Sequence, residues 1–221
     1  MENYQIPAVI VDIFREQELQ RVSSLAPKRS SYSSKYEPDS SLVQIGKFRA
    51  TSDGFIVVYT DGSCLQNGRE NPRAGVGVFF GPESNNNVST LLSDKFEHTN
   101  NNAEIVAVIT ALHLCRNQGY TSIEIRSDSK FLLVAITEYM PIWKANGWCK
   151  TNKKPVKNKE VLEELLLSLQ GLTVRWIYVP AHVNNSGNNF ADFLARWSTF
   201  DKTGSQVARI VGPSSRSKIR K

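Results

Sequence analysis

Four carboxylates in four separate segments carry the chemistry this sequence offers: Asp61, Glu104, Asp128 and Asp192. Asp61 closes the apolar run 55–60 and precedes Gly62-Ser63, so the pattern predicts a carboxylate at the carboxyl end of a buried strand, with the glycine turning the chain at once. Asp128 follows the run 122–127 in the same way, while Glu104 and Asp192 open apolar helical patterns. If the two strands are parallel neighbours, Asp61 and Asp128 share one edge of the sheet. Two like charges about 4 Å apart repel by roughly 4 kcal/mol at an effective dielectric of about 20. Such a cluster persists when cations compensate it, and two divalent ions would neutralise four carboxylates. Oxygen-only ligands favour Mg²⁺ or Mn²⁺ over zinc. Two ions about 4 Å apart can activate a water and steady the departing oxygen in phosphoryl displacement.

The elements that would position these acids follow from periodicity. Residues 55–60, 74–80 and 88–96 read as three antiparallel strands. Asn100 to Asn102 offer an N-cap for a helix whose apolar stripe is Ile105, Val108, Ile109, Leu112 and Cys115, ended by Gly119. A fourth strand over 122–127 precedes short helices over 129–136 and 142–147. An amphipathic helix over 159–170, a fifth strand over 172–179 and a final helix over 188–199 complete the order βββαβααβα. This predicts an α/β domain with a mixed five-stranded sheet, its first three strands antiparallel, flanked by helices. The expected organisation is a largely disordered extension over 1–52, with a short helix between Ile6 and Leu25, a catalytic domain over 53–200 and a basic tail over 201–221.

The 221 residues suit one domain with tails. No apolar stretch approaches the roughly 18 residues of a membrane helix. The amino terminus is too acidic for a secretory or mitochondrial presequence, and three cysteines without paired or metal-ligand spacing fit reduced thiols, so the nucleus or cytoplasm is expected. The net charge of +6 is uneven: residues 144–159 hold six lysines and no acid, and 201–221 hold six Lys/Arg against one acid. Local clusters of this kind suit polyanion contacts.

The segments Tyr59-Thr-Asp-Gly-Ser63, Thr99-Asn-Asn-Asn-Ala-Glu104, Arg126-Ser-Asp-Ser129 and Gly187-Asn-Asn-Phe-Ala-Asp192, in this order, resemble the type 1 ribonuclease H family over about residues 55–199. The resemblance implies the ribonuclease H-like fold and a monomeric endonuclease that cuts the RNA strand of RNA–DNA hybrids, leaving a 3′-hydroxyl and a 5′-phosphate. It makes Asp61 the bridge between two Mg²⁺ ions. Asp192 would complete the site of the ion that activates water, and Glu104 and Asp128 would hold the other. His182, in Val179-Pro-Ala-His182, matches the family's histidine that assists proton transfer or product release. The family's small amino-terminal hybrid-binding module has no counterpart in the pattern of residues 1–52.

The same resemblance distributes substrate contacts. Asn67, with the backbone near Cys64 and Gln66, would touch the RNA minor groove, and Asn100 and Asn101 would reach across it; turn and cap roles can coexist with these contacts. Tyr139, Trp143, Thr151, Lys153 and Lys154 belong to a segment resembling the family's basic protrusion, with Trp143 against a deoxyribose. Thr99 and Asn158 match residues that grip a DNA phosphate, and Trp148 reads as core. Glu97 stands where many relatives carry an arginine, with Lys95 as a possible substitute. Two other readings remain: a non-catalytic binding module of this fold, and another polynucleotidyl transferase. The intact set of four acids argues against the first, and the strand-four spacing, the basic protrusion and the histidine motif favour the hydrolase over the second.

Overall fold

The computed structural model describes residues 37, 39–82, 84–180 and 185–200. Its hub is strand β3 (Ile56–Leu65), whose Ile-Val-Val-Tyr-Thr start is buried on both faces and so must lie inside a sheet. On one edge β4 (Arg73–Phe79) pairs antiparallel from Tyr59↔Phe79 to Leu65↔Arg73, and β5 (Val88–Leu91) pairs antiparallel with β4. On the other edge β6 (Ser122–Ser127) runs parallel to β3 from Ile56↔Ile123 to Tyr59↔Arg126, and β7 (Thr173–Tyr178) runs parallel to β6. All five expected strands are present and the first three are antiparallel as expected; the third is shorter, ending at Leu91.

Two further strands, β1 (Val43–Ile45) and β2 (Phe48–Ala50), make the sheet seven-stranded. The sequence reading assigned this stretch to a disordered extension, and the structure corrects it. β1 and β2 form a hairpin around Gly46-Lys47, and Ala50 pairs with Ile56. Phe48, 1% exposed, holds the hairpin down: its ring meets Phe80 at 5.0 Å and Tyr120 at 5.2 Å. The expected helix between Ile6 and Leu25, the tail over 201–221 and His182 lie outside the described residues.

Helix α1 (Asn100–Asn117) packs on one face of the sheet. Thr99 caps it, its side chain accepting from the Asn102 amide at 3.2 Å. The expected stripe is buried, and Val106, Ala107 and Ala111 are buried too, because α4 (Lys159–Ser168) covers a second side of the helix. His113 helps to join them, 3.1 Å from the Ser168 hydroxyl, and burial pushes its pKa down to about 4. Helix α5 (Ser186–Thr199) covers β3, β4 and β5 on the opposite face.

The two short helices expected after β6 form one continuous rod: α2 (Lys130–Val134), a π-helical turn (Ala135–Tyr139) and α3 (Met140–Ala145). Pro141 contributes no N–H, and one residue earlier the Met140 amide reaches back five residues to the Ala135 carbonyl. Gly147 and Trp148 then adopt consecutive left-handed conformations, reversing the chain. Trp148 is buried, as expected, which anchors the loop carrying the lysines. Among the described residues no helix is long and apolar enough to cross a membrane.

Candidate active site

Asp61 does not end its strand. β3 runs four residues further because β4 continues to pair with it through Leu65↔Arg73, while the parallel partner β6 stops at Ser127. Gly62 makes no turn; it lets α1 approach, since a Cβ there would lie 2.2 Å from the Glu104 backbone nitrogen. The sheet register still does what the acid pattern required. Tyr59 pairs with Arg126, so Asp61 and Asp128 each stand two residues past that pair and project to the same side. Glu104 arrives from the first turns of α1, and Asp192 from α5.

These acids occupy different environments. Asp61, 7% exposed, accepts from its neighbour's amide, Gly62 N, at 2.8 Å. Burial first, then the charges of Asp128, Asp192 and Glu104, push its carboxyl well above the usual carboxylate range. Glu104 is pushed up to about 7: burial dominates, the Ser129 hydroxyl opposes it, Asp128 adds repulsion and the Asn100 amide, at 2.8 Å, opposes again. Asp128 Oδ2 accepts from Asn188 Nδ2 at 2.9 Å. Asp192 Oδ1 accepts from Arg196 Nε at 2.7 Å, one helical turn on.

The donors that converge here are all carboxylate oxygens, which suits a hard divalent cation, and the repulsion focused on Asp61 is what such a cation would relieve. Among the described residues no three His, Cys, Asp or Glu side chains are gathered into a closed ligand cluster.

Polar groups around the acids form a connected surface. After Leu65 the chain turns at Gln66 with positive φ, and Asn67 Oδ1 accepts from the Asn100 amide at 3.2 Å. Cys64 Sγ lies 3.4 Å from the His98 carbonyl oxygen. Asn158 stands at the start of α4, but its amide does not cap the helix; it donates to Asn102 Oδ1 at 2.9 Å, joining α4 to the Thr99-capped turn. Lys95 does not substitute for the missing arginine, because it is paired with Glu164 at 2.9 Å. A cavity of about 540 Å³ opens between α1 and the π-containing rod, lined by Asn101, Phe131, Tyr139, Ile142, Trp143, Lys150, Thr151, Lys157 and Asn158. The Tyr139 and Trp143 rings sit 5.3 Å apart, and Lys153 and Lys154 stand exposed on the adjoining loop.

Within the described part of the chain, the charges of Glu104, Asp128 and Asp192 act on Asp61, Asn67 is linked to Asn100, and Asn101, Tyr139, Trp143, Thr151 and Asn158 line the cavity, with four further residues supporting these groups. Ser129, Asn188 and Asn102 hold Glu104, Asp128 and Asn158 respectively. Arg196 is the fourth, and its i,i+4 spacing from Asp192 was a usable signal.

Comparison with known proteins adds a separate line of support. The family model described as RNase H matches residues 53–199. Ribonuclease H1 from Homo sapiens is 42% identical over 142 residues, covering 64% of this chain and 49% of that protein. Ribonuclease H from Rickettsia felis is 37% identical over 143 residues, covering 65% of this chain and 90% of that protein. The chain spans about half the length of the mammalian relatives it matches. Among solved structures, a foamy viral protease-reverse transcriptase in complex with dsDNA aligns with a TM-score of 0.54 at 29% identity, covering 65% of this chain and 93% of that one. The solution structure of a PFV RNase H domain aligns at 0.51 and 26%, covering 65% and 93%. With the matched stretch spanning most of the chain and all four acids, the protein belongs to the RNase H family.

Proposed function

We propose that this protein is a divalent-metal-dependent endonuclease that hydrolyses the RNA strand of RNA–DNA hybrids, leaving 3′-hydroxyl and 5′-phosphate ends. The observation that carries the reading is the concentration of charge on Asp61, whose carboxyl feels Asp128, Asp192 and Glu104 at once. A folded protein maintains such repulsion at a cost in stability, and a cation-dependent reaction is the use that explains it. Kinship with proteins named Ribonuclease H1 and Ribonuclease H supports the choice of substrate.

Asp61, Glu104, Asp128 and Asp192 would hold two Mg²⁺ ions, which supply water activation and stabilise charge on the departing oxygen. The remaining work falls to the chain itself. Asn188 and Ser129 fix the carboxylates of Asp128 and Glu104. The Asn67–Asn100 contact holds the turn after β3 against α1, where it can follow the RNA minor groove. The Tyr139–Trp143 surface and its lysines offer the DNA strand a stacking face and phosphate contacts without reading bases. His182 is placed as an assistant in proton transfer or product release on its sequence motif.

The test incubates the purified protein with labelled RNA–DNA hybrid, double-stranded RNA and double-stranded DNA, with Mg²⁺ or EDTA. Cleavage confined to the RNA strand of the hybrid, dependent on Mg²⁺ and lost in Asp61→Asn, is expected. Retained cleavage by the purified Asp61→Asn protein would sink the mechanism.

A further inference from the structure

The stretch that matches the family begins at residue 53, yet the residues before it reach the site from behind. Asp39 Oδ2 accepts from Arg126 Nη1 at 2.9 Å. Arg126 also donates to the Tyr59 hydroxyl at 2.9 Å, with its guanidinium 5.5 Å from the centre of that ring. Tyr59 in turn packs on Gly187, where a Cβ would lie 2.3 Å from the ring. The backbone N–H of Glu37 donates to Ser186 Oγ, at the first residue of α5, at 3.1 Å. Leu42, 8% exposed, is buried with Tyr59, Phe79 and Leu194.

Two of these partners stand immediately beside the acids. Arg126 precedes Asp128 by two residues, and Gly187 adjoins Asn188, whose amide holds Asp128. The contacts therefore close a ring from Arg126 along the chain to Asp128, across to Asn188 and Gly187, and back through Tyr59 to Arg126, and Asp39 and Glu37 brace it from outside at Arg126 and Ser186. We propose that Glu37 and residues 39–42 form a positioning strap that ties the end of β6 to the start of α5, and that Asp39 is a positioning residue for the hybrid-cleaving reaction. This inference rests on the hydrolase reading for its kinetic consequence, but not for its structural one. Arg126 keeps a second carboxylate partner, Glu124 at 2.8 Å, so loss of Asp39 would shift the guanidinium rather than leave a buried charge unpaired.

The experiment compares the full-length wild type, Asp39→Asn and Asp39→Glu in hybrid cleavage and in amide hydrogen exchange. Asp39→Asn should lower kcat about three- to tenfold, since small displacements of positioned groups are costly, with KM unchanged within about twofold. Amides over 127–129 and 186–189 should exchange faster in the same variant, and Asp39→Glu should recover most of both effects. Wild-type kcat in Asp39→Asn, or a fall in kcat without faster exchange at those segments, would overturn the strap. A wild type that leaves hybrids intact while exchange still depends on Asp39 would refute the hydrolase reading and support the strap.

Discussion

A side-chain carbon on Gly62 would lie 2.2 Å from the backbone nitrogen of Glu104, so β3 and α1 touch backbone to backbone beside two of the four acids. Only a residue without a side chain can occupy that point. Gly62→Ala must push α1 away from the sheet, and overpacking of this kind costs about 1–3 kcal/mol or more. The variant should unfold at lower urea concentration and cleave hybrids at least about tenfold more slowly, because Asp61 and Glu104 separate. Wild-type values for both would mean that the two backbones are not in contact.

Asn188 acts on Asp128 through one amide hydrogen bond, while its own Oδ1 is buried without a partner among the described residues. Asn188→Ala should weaken the Mg²⁺ dependence of cleavage by about 10- to 100-fold, as loss of such supporting contacts does elsewhere. Asn188→Asp, which sets a fifth carboxylate against Asp128, should do worse. A Mg²⁺ titration of activity checks both, and equal half-saturation in all three proteins would remove Asn188 from the mechanism.

The raised carboxylates set the sign of a pH effect. Glu104 is pushed from its ordinary 4.5 to about 7, and Asp61 shifts in the same direction. Between those values these carboxyls bind more protons in the folded state than in the unfolded state, so the stability they contribute falls as pH rises from about 4.5 to about 7. At about 1.4 kcal/mol per unit, Glu104 contributes at most about 3 kcal/mol of this loss. Asp39 and Asp53, held below their ordinary 3.8, act with opposite sign at more acidic pH, and His113, pushed from its ordinary 6.5 down to about 4, acts with opposite sign between about pH 4 and 6.5. Urea unfolding in EDTA should therefore show Glu104→Gln gaining stability relative to wild type as pH rises from 5 to 8. Equal slopes in wild type and Glu104→Gln would contradict the assignment.

The loop after Trp148 carries its charge into solvent, with Lys153 and Lys154 exposed and Lys157 at the cavity wall. Neutralising all three should reduce the salt dependence of hybrid binding by about two to three units in the log–log slope, each phosphate contact contributing about 0.9. Binding measured from low to moderate salt tests this directly, and an unchanged slope would place the phosphate contacts elsewhere.

Much of this was legible in the residues because it is local. The helix start near residue 100, the strand over Ser122–Ser127 and the order of the four acids each follow from short-range pattern, although the cap is Thr99 and not the asparagines after it. What escaped depends on partners distant in the chain. Gly62, Ser63 and Cys64 have weak strand preference, and only pairing with Val76, Gly75 and Ala74 keeps them extended. The 43–50 hairpin is short and sits amid polar residues, and its stability comes from Phe48 meeting Phe80 and Tyr120. Lys95 suited a phosphate pocket by position, yet Glu164, 69 residues on, holds it.

The continuation of β3 past Asp61 has a metric consequence. Leu65 lies four residues along the paired strand from Asp61, a span of roughly 13 Å at about 3.3 Å per residue. Their pairing with β4 keeps this length from stretching or folding without breaking the ladder. The turn carrying Asn67 is thus mounted at the far end of a stiff gauge whose near end is the central carboxylate. In the proposed reaction, where that turn settles along a groove, the backbone itself would measure off the phosphate to be cut.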